Sequence, residues 1–296
     1  MPFTYQRLLI AALCALTLAG PATAQATFLG DVRLSAPDAS RFGGLSAIEM
    51  GDDGLSGVVL SDRGTLFDLR VTRLGTRITD VDICCSAGVS GPDGGHLPTP
   101  QRDSEGLAIL PNGTIAISFE GQPFARVALH TRNGAEIRAL PGVPGAEALP
   151  VNGAFEGLAA DTSGRLYTLP EAMPGQGPIP LLRLDQGRWT LFAELPRAPG
   201  WSPVALDIDD RGRLYLLQRR ASIWAGFSTR LTRYGLRPDG LGRPEVLFQS
   251  AAGQHGNLEG LSLWRDATGR LIATMVSDDN FLPIFATTLV EYSLPD

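Results

Sequence analysis

The sequence predicts an all-β fold, a β-propeller of five four-stranded blades. Three observations carry this: a Glu-Gly-Leu motif that returns along the chain, a glycine turn with a second strand after each copy, and a lone N-terminal strand that completes the last repeat. Repeats at intervals of about 40 to 50 residues, each holding enough strands for one small sheet, are the signature of this architecture.

The motif reads Ser104-Glu105-Gly106-Leu107-Ala108, Phe155-Glu156-Gly157-Leu158-Ala159 and Leu258-Glu259-Gly260-Leu261-Ser262. Degenerate copies are Phe42-Gly43-Gly44-Leu45-Ser46 and Pro203-Val204-Ala205-Leu206-Asp207, which makes five repeats. Turns follow at Asp52-Asp53-Gly54, Asn112-Gly113, Ser163-Gly164, Arg211-Gly212 and Thr268-Gly269, where glycine supplies the positive φ of a tight hairpin. The second strands, GVVLSD, TIAISFEG, RLYTLPEA, RLYLLQRR and LIATMVSD, are short and mostly aliphatic, β-branched or aromatic.

Third and fourth strands complete the first four repeats: TLFDLRV with ITDVDIC, ARVALHT with AEIRAL, PLLRLD with WTLFAEL, and TRLTRYGL with PEVLFQS. The last repeat has only TTLVEYSL before the chain ends, and FLGDVRL, from Phe28 to Leu34, supplies its fourth strand. That pairing closes the ring and leaves no sheet edge open. The Pro/Gly-rich segment from Ser86 to Arg102 reads as a surface loop, and a sixth blade would need it to hold strands it does not show. A parallel β-helix would need shorter, more regular coils, and a two-sheet sandwich would not repeat the motif at blade intervals.

The N-terminus carries Arg7, an apolar run from Leu8 to Ala19 and the small residues Ala22-Thr23-Ala24. This pattern predicts a secretory signal over 1–24, a single propeller domain over 25–296 and a periplasmic or secreted location. The run falls short of the roughly 20 residues that span a bilayer, so no membrane association is expected once the signal is removed. Cys14 leaves with the signal. In an oxidising compartment the adjacent Cys84 and Cys85 would allow a vicinal disulfide, but two buried thiols on a strand are the expectation. All 25 basic residues are arginine and the net charge is -6. With no basic run interleaved with aromatics, nucleic acid is excluded as a partner.

The first strand of a propeller blade lines the axis, so Glu105, Glu156 and Glu259 are expected at the mouth of the channel. A second ring of charges closes the following strand. Fourteen residues on from Gly106, Gly157 and Ala205 stand Glu120, Glu171 and Arg219, and eighteen on from Gly44 and Gly260 stand Asp62 and Asp278. Carboxylates at that density raise one another's pKa or take up a cation. An oxygen-only donor set without a His or Cys cluster points to a hard ion such as Ca²⁺. The competing reading is that these acids accept backbone amides of the next blade or pair with Arg63, Arg219 and Arg220.

Of the histidines, only His255 is placed to reach the mouth, as an acid/base or as a loop residue without a role. Trp201 and Trp224 lie in loops bounding the fourth blade, where they would line a cleft or cap the blade edge. No Gly-x-Ser-x-Gly elbow, phosphate loop or dinucleotide fingerprint is present.

The succession Ser61-Asp62-Arg63-Gly64, Ser104-Glu105-Gly106-Leu107-Ala108, Phe155-Glu156-Gly157-Leu158-Ala159, Gly212-Arg213-Leu214-Tyr215 with Arg219, Asn257-Leu258-Glu259-Gly260-Leu261 and Ser277-Asp278-Asp279-Asn280-Phe281 resembles the phytase-like family, described as esterase-like activity of phytase. The resemblance implies an exported bacterial propeller related in plan to calcium-dependent propeller phytases. It implies that Asp62, Glu105, Glu120, Glu156, Glu171, Glu259 and Asp278 hold Ca²⁺, with Arg63 and Arg219 on an anionic substrate. The fourth repeat departs from the family pattern at Gln218, and the Asp-rich opening motif of the propeller phytases is absent. The expected activity is metal-dependent hydrolysis of phosphate or carboxylate esters, with Glu156 or Glu259 as base and Arg63 or Arg219 clamping the leaving anion. The alternatives are a non-catalytic propeller binding a ligand or protein around a structural cation, and a lactonase-type propeller.

Overall fold

The computed structural model describes residues 25–36 and 42–296, and the secretory signal expected over 1–24 lies outside them. Five antiparallel sheets follow one another in chain order. Blade 1 is built from Leu45–Met50, Ser56–Ser61, Thr65–Leu74 and Arg77–Gly88. Blade 2 uses Ser104–Ile109, Ile115–Phe119, Arg126–His130 and Glu136–Ala139. Blade 3 uses Gly157–Ala160, Leu166–Leu169, Ile179–Asp185 and Arg188–Leu195. Blade 4 uses Ser202–Ile208, Arg213–Ser222, Gly226–Arg237 and Glu245–Gln249, with Gly240–Leu241 paired beside the third strand. Asn257–Arg265, Leu271–Asp278 and Thr288–Leu294 form blade 5 with the N-terminal strand Thr27–Arg33.

The ring therefore closes as the sequence predicts. Thr27–Arg33 runs antiparallel to Thr288–Leu294, from Thr27 opposite Ser293 to Arg33 opposite Thr288. A second clasp joins blades 1 and 5: Arg73 grips Glu291 with two hydrogen bonds of 2.7 and 2.8 Å and lies over the Trp264 ring. The segment after Gly88 holds one isolated bridge, Ser90 to His96, and a single 3-10 turn, Thr99–Gln101, so it adds no sixth blade.

Close approach of neighbouring blades explains the glycine of the motif. A Cβ on Gly106 would stand 2.7 Å from Leu158 Cβ and 2.9 Å from the Glu156 carbonyl, and one on Gly260 would stand 3.0 Å from the Ala47 backbone. The serines beside them pin the blades: Ser118 donates to the Phe155 carbonyl at 2.6 Å, and Ser46 to the Ser104 carbonyl at 2.7 Å. Around these strands Leu45, Phe119, Phe155, Tyr167 and Tyr215 are fully buried. Each such side chain contributes about 1.5–3 kcal/mol by leaving water.

A β-bulge recurs at the motif's acidic position. It falls at Glu105 in blade 2, Val204 in blade 4, Glu259 in blade 5 and Ser46 in blade 1. The equivalent of Gly106 in blade 1 is thus Ala47 and not Gly44, which corrects the spacing argument for Asp62. Gly43 and Gly44 instead make room for Asp279, Phe281 and Asp62.

A bulge also overturns the expectation of buried thiols. Cys85 stands opposite Asp68 and Ile83 opposite Leu69, so Cys84 is the extra residue. Both sulfurs are exposed and free on the outermost strand of blade 1, where no further blade covers them.

Candidate functional site

The acids gather at one end of the axis, where the bulge re-aims Glu105 and Glu259. Glu105, Glu156 and Glu259 enter at the start of the innermost strands, while Asp62, Glu120, Glu171 and Asp278 arrive at or just beyond the end of the next strand and Arg219 arrives inside Arg213–Ser222. The two predicted rings meet on one face. Asp103, outside the motif, joins them: Asp103, Glu105 and Glu120 each bring an oxygen to within 4.8 Å of the others.

Arg219 divides this ring. Its guanidinium hydrogen-bonds Glu171 at 2.7 Å, Asn257 at 2.9 Å and, more tightly, Glu259. Burial alone would lower its pKa, but Glu259, Glu171 and Glu156 outweigh burial and hold it above the ordinary arginine value. Asn257 also donates to Glu259 at 2.8 Å, and Asp278 accepts the Asn280 amide at 2.6 Å. This half of the ring is internally satisfied.

The other half feels the charges of Arg63, Arg102 and Arg219 at Asp62, Asp103 and Glu156 without an ion pair closing on any of them among the described residues. Among the described residues no arginine hydrogen-bonds Asp62, Asp103, Glu105, Glu120 or Glu156, and the carboxylates of Glu105 and Glu156 accept no protein backbone amide. Burial, reinforced by Asp278 and Asp103, raises Asp62 to about 7. Burial raises Glu120 to about 7 against the pull of its hydrogen bonds from the Gly153 and Ala154 amides, at 2.6 and 3.1 Å. Glu105 is pushed well up by burial and then by Glu156, and Glu156 by burial and then by Glu171. Glu259 rises to about 8, burial outweighing the opposing pull of Arg219. The blade-pinning role anticipated for these acids falls to Glu120 alone, and serines perform it elsewhere.

The Arg63 guanidinium lies over the Phe281 ring, 3.2 Å from its centroid, and its charge draws the Asp62 pKa down against burial. Phe281 and Asn280 both hold positive φ, 50° each, a conformation costly for residues other than glycine. Asp279 fixes that turn by accepting the Phe281 amide at 3.0 Å, the Gly44 amide at 2.9 Å and the Thr287 hydroxyl at 2.9 Å.

The structure places His255 and the two tryptophans. His255 does not reach the mouth: its Nε2 meets the Tyr292 hydroxyl at 2.8 Å, and its ring packs by Phe28 on the outer strand of blade 5. Trp201 is buried between the guanidinium groups of Arg220 and Arg230, each 4.5 Å from its ring, while Trp224 is exposed at a hairpin tip. Below the ring the axis narrows to a cavity of about 10 Å³ and then opens into one of about 790 Å³ at the far ends of the innermost strands. Several acids unsuspected from the sequence line that lower mouth, Asp207 and Glu49 among them. Asp207 is raised to about 7 by burial while accepting the Ile208 and Leu263 amides at 2.6 Å, and Glu49 is raised by burial and by Asp207. An acid inside the apolar run Leu45–Met50 was the available signal for Glu49.

Fold and site together define a five-bladed propeller whose axial mouth carries a buried acidic cluster. Residues 40–281 match the phytase-like family model, described as esterase-like activity of phytase, and the chain belongs to that family. No curated protein matches the sequence. Among solved structures, the PQQ-bound form of aldose sugar dehydrogenase from Streptomyces coelicolor is 13% identical, with a TM-score of 0.48 over 90% of this chain and 98% of that one. A protein of unknown function from Dyadobacter fermentans is 14% identical, TM-score 0.44, over 90% and 86% of the two chains. The Pan2 WD40 domain from Neurospora crassa is 10% identical, TM-score 0.45, over 93% and 97%. Likeness of this degree decides nothing about activity. No helix among the described residues is long and apolar enough to cross a membrane.

Proposed function

We propose that the chain is an exported hydrolase of phosphate or carboxylate esters that holds a hard cation such as Ca²⁺ at the acid-lined mouth. One observation carries the reading: Asp62, Asp103, Glu105, Glu120 and Glu156 converge with no arginine among the described residues hydrogen-bonded to any of them, while Arg219 satisfies the opposite half. The donor set fits such an ion, since it is all oxygen and Asp103, Glu105 and Glu120 already stand within 4.8 Å of one another. Ca²⁺ bound there would supply Lewis acidity toward a substrate oxygen.

The chain's own residues do the rest. Glu156 is the base, because among the described residues its carboxylate accepts no protein backbone amide, and burial followed by the Glu171 charge raises its pKa well above the ordinary glutamate value. Glu259, tied to Arg219 and Asn257, orients the site. Arg219 stays on its two glutamates and sets the field, and Arg63 is the arginine free to clamp an anion. Export rests on the N-terminal pattern of Arg7, the apolar run and Ala22-Thr23-Ala24. A cation with a purely structural role draws support from Glu120, whose grip on the Gly153 and Ala154 amides would carry ion binding into the blade 2 to blade 3 junction.

The test is calorimetric titration of Ca²⁺ into the chelator-stripped protein, wild type and Glu156→Gln, beside a panel of phosphate esters, carboxylate esters and lactones. Stoichiometric heat, with turnover lost in Glu156→Gln while the fold persists, is expected. Binding with no turnover on the panel would leave the structural role, and no heat with an unchanged melting temperature would overturn the metal site.

A further inference from the structure

Two loops that leave the acid mouth, one beyond Arg219 and one beyond Asp278, end in bare apolar side chains. In blade 4 the second and third strands pair as far as Ser222 opposite Gly226, so Ile223, Trp224 and Ala225 form the tip of a hairpin that runs on past Arg219. Three residues of strand, from Arg219 to Ser222, carry that tip roughly 10 Å beyond the ring. In blade 5 the loop after Asp278 presents Leu282 and Ile284. Ile223 and Trp224 are each 92% exposed and Ile284 82%, the highest values among the exposed large apolar side chains of the described residues. No charged residue falls in 221–227 or in 281–286.

The tips are braced against each other. Phe227, at the root of the hairpin, meets Phe285 of the blade 5 loop edge-on with ring centroids 6.0 Å apart, and its carbonyl accepts the Gly253 amide at 2.8 Å. The blade 5 loop is closed by two turns, in which the Leu282 and Phe285 amides donate to the Asp279 and Leu282 carbonyls at 2.8 and 3.0 Å. Neighbouring blades thus hold one apolar crest beside the mouth. Behind it stand Arg220 and Arg230, their guanidinium groups each 4.5 Å from the Trp201 ring.

We propose that this crest inserts into the headgroup boundary of a neutral, zwitterionic lipid bilayer. A protein partner or a second copy of the chain would need about 800 Å² on each side and a surface complementary in shape. A hairpin tip and a short loop, both convex, offer far less. A fluid bilayer needs no complementary groove, and a tryptophan tip with arginines a step behind it suits the boundary, apolar groups among the acyl chains and guanidinium groups on phosphate oxygens. The chain's net charge of -6 turns it away from anionic lipid. The ring carboxylates lie deeper by about one Debye length at physiological salt, so they do not oppose contact with a neutral surface. The proposal departs from the expectation of no membrane association once the signal is removed, which followed from the lack of a spanning segment, because shallow insertion needs none. It goes beyond the hydrolase reading, requires neither metal nor turnover, and turns the acid mouth toward the lipid.

The experiment is co-sedimentation of residues 25–296, which hold every blade strand, with phosphatidylcholine vesicles, read together with tryptophan emission. Trp189, Trp201 and Trp264 are buried, so Trp224 alone reports on the crest. Its emission is expected to move to the blue with vesicles and to be quenched by lipids brominated along the acyl chain. Trp224→Ser and Ile284→Ser each weaken vesicle binding roughly ten-fold or more, the loss of one large apolar side chain from the lipid. Arg220→Gln weakens it less, and Leu74→Ser, exposed at the far end of the third strand of blade 1, leaves it unchanged. All four positions are exposed, so the melting temperature stays at the wild-type value. Wild-type protein that remains in the supernatant, or Trp224→Ser that sediments like wild type, overturns the proposal. So does a dimer seen by sedimentation velocity without lipid and dissolved by Trp224→Ser, since the crest would then cover a second copy. Vesicle binding with no ester turned over retires the hydrolase and keeps the crest, and turnover without vesicle binding does the reverse.

Discussion

At the scale of single residues the molecule carries one clear liability, His130. It is fully buried on the third strand of blade 2, and among the described residues neither ring nitrogen has a hydrogen-bond partner. Burial lowers its pKa to about 4, so the folded state keeps it neutral while the unfolded chain takes up a proton near 6.5. The folded value is depressed, so native stability attributable to this group falls as pH drops from about 6.5 toward 4. His130→Leu is expected to stabilise the protein by about 1–3 kcal/mol in urea unfolding at pH 7, and by more at pH 5. A variant less stable than wild type at both values would show that the ring has partners in solution. The same residue shows the limit of reading sites from sequence. Glu105, Glu156 and Glu259 were legible because a repeated motif marks them, and their second-ring partners because spacing counts from it. Asp103 and His130 have no counterpart in other blades, and Glu49 finds its counterpart, Asp207 of blade 4, only once the bulges set the register, so only the folded chain shows what surrounds them. Cys84 and Cys85 misled for a related reason: nothing in the sequence announces the bulge that turns both outward.

At the scale of elements, the innermost strands decide both packing and site geometry. All five blades, the glycine turns and the closing strand were legible, because alternation, turn chemistry and the missing fourth strand are local features. The bulge was not, since an extra residue changes register without changing composition, and it moved the blade 1 alignment from Gly44 to Ala47. Gly106→Ala tests the close approach directly. Its Cβ would meet the Ser118 hydroxyl, Leu158 and the Glu156 carbonyl at 2.4, 2.7 and 2.9 Å, two of the three being atoms that cannot swing aside. The blades must part, and overpacking of this kind costs about 1–3 kcal/mol. Gly113→Ala, at a hairpin with open space around it and φ of 80°, bears only the backbone strain, about 1 kcal/mol. Thermal unfolding should rank Gly106→Ala well below Gly113→Ala, and the first alone should weaken Ca²⁺ binding, because Glu105 precedes it. Equal losses in the two variants would mean that blade contact is looser than the strands suggest.

At the scale of the whole molecule, ring closure and the acid mouth oppose one another. The N-terminal strand and the Arg73–Glu291 clasp draw blades 1 and 5 together, and that contraction brings like charges onto the axis. Without a cation the mouth can relieve the repulsion only by keeping protons. Asp62 and Glu120 hold theirs to about 7 and Glu259 to about 8, where the unfolded chain has shed them near 4. Native protein therefore binds more protons than unfolded protein between about pH 4 and 8. Stability from these groups is complete below the lower limit and lost as pH rises through the upper one. The chelator-stripped protein should melt several degrees lower at pH 8 than at pH 5.5, a few kcal/mol amounting to roughly 5–10 °C at this size. His130 slopes the opposite way below 6.5, so the measurement is cleanest in His130→Leu. Since a cation and the protons compete for the same oxygens, added Ca²⁺ should raise the melting temperature strongly at pH 8 and little at pH 5.5. A Ca²⁺ effect of equal size at both values would place the ion away from the ring, and a melting temperature indifferent to pH would mean that water already reaches these carboxylates.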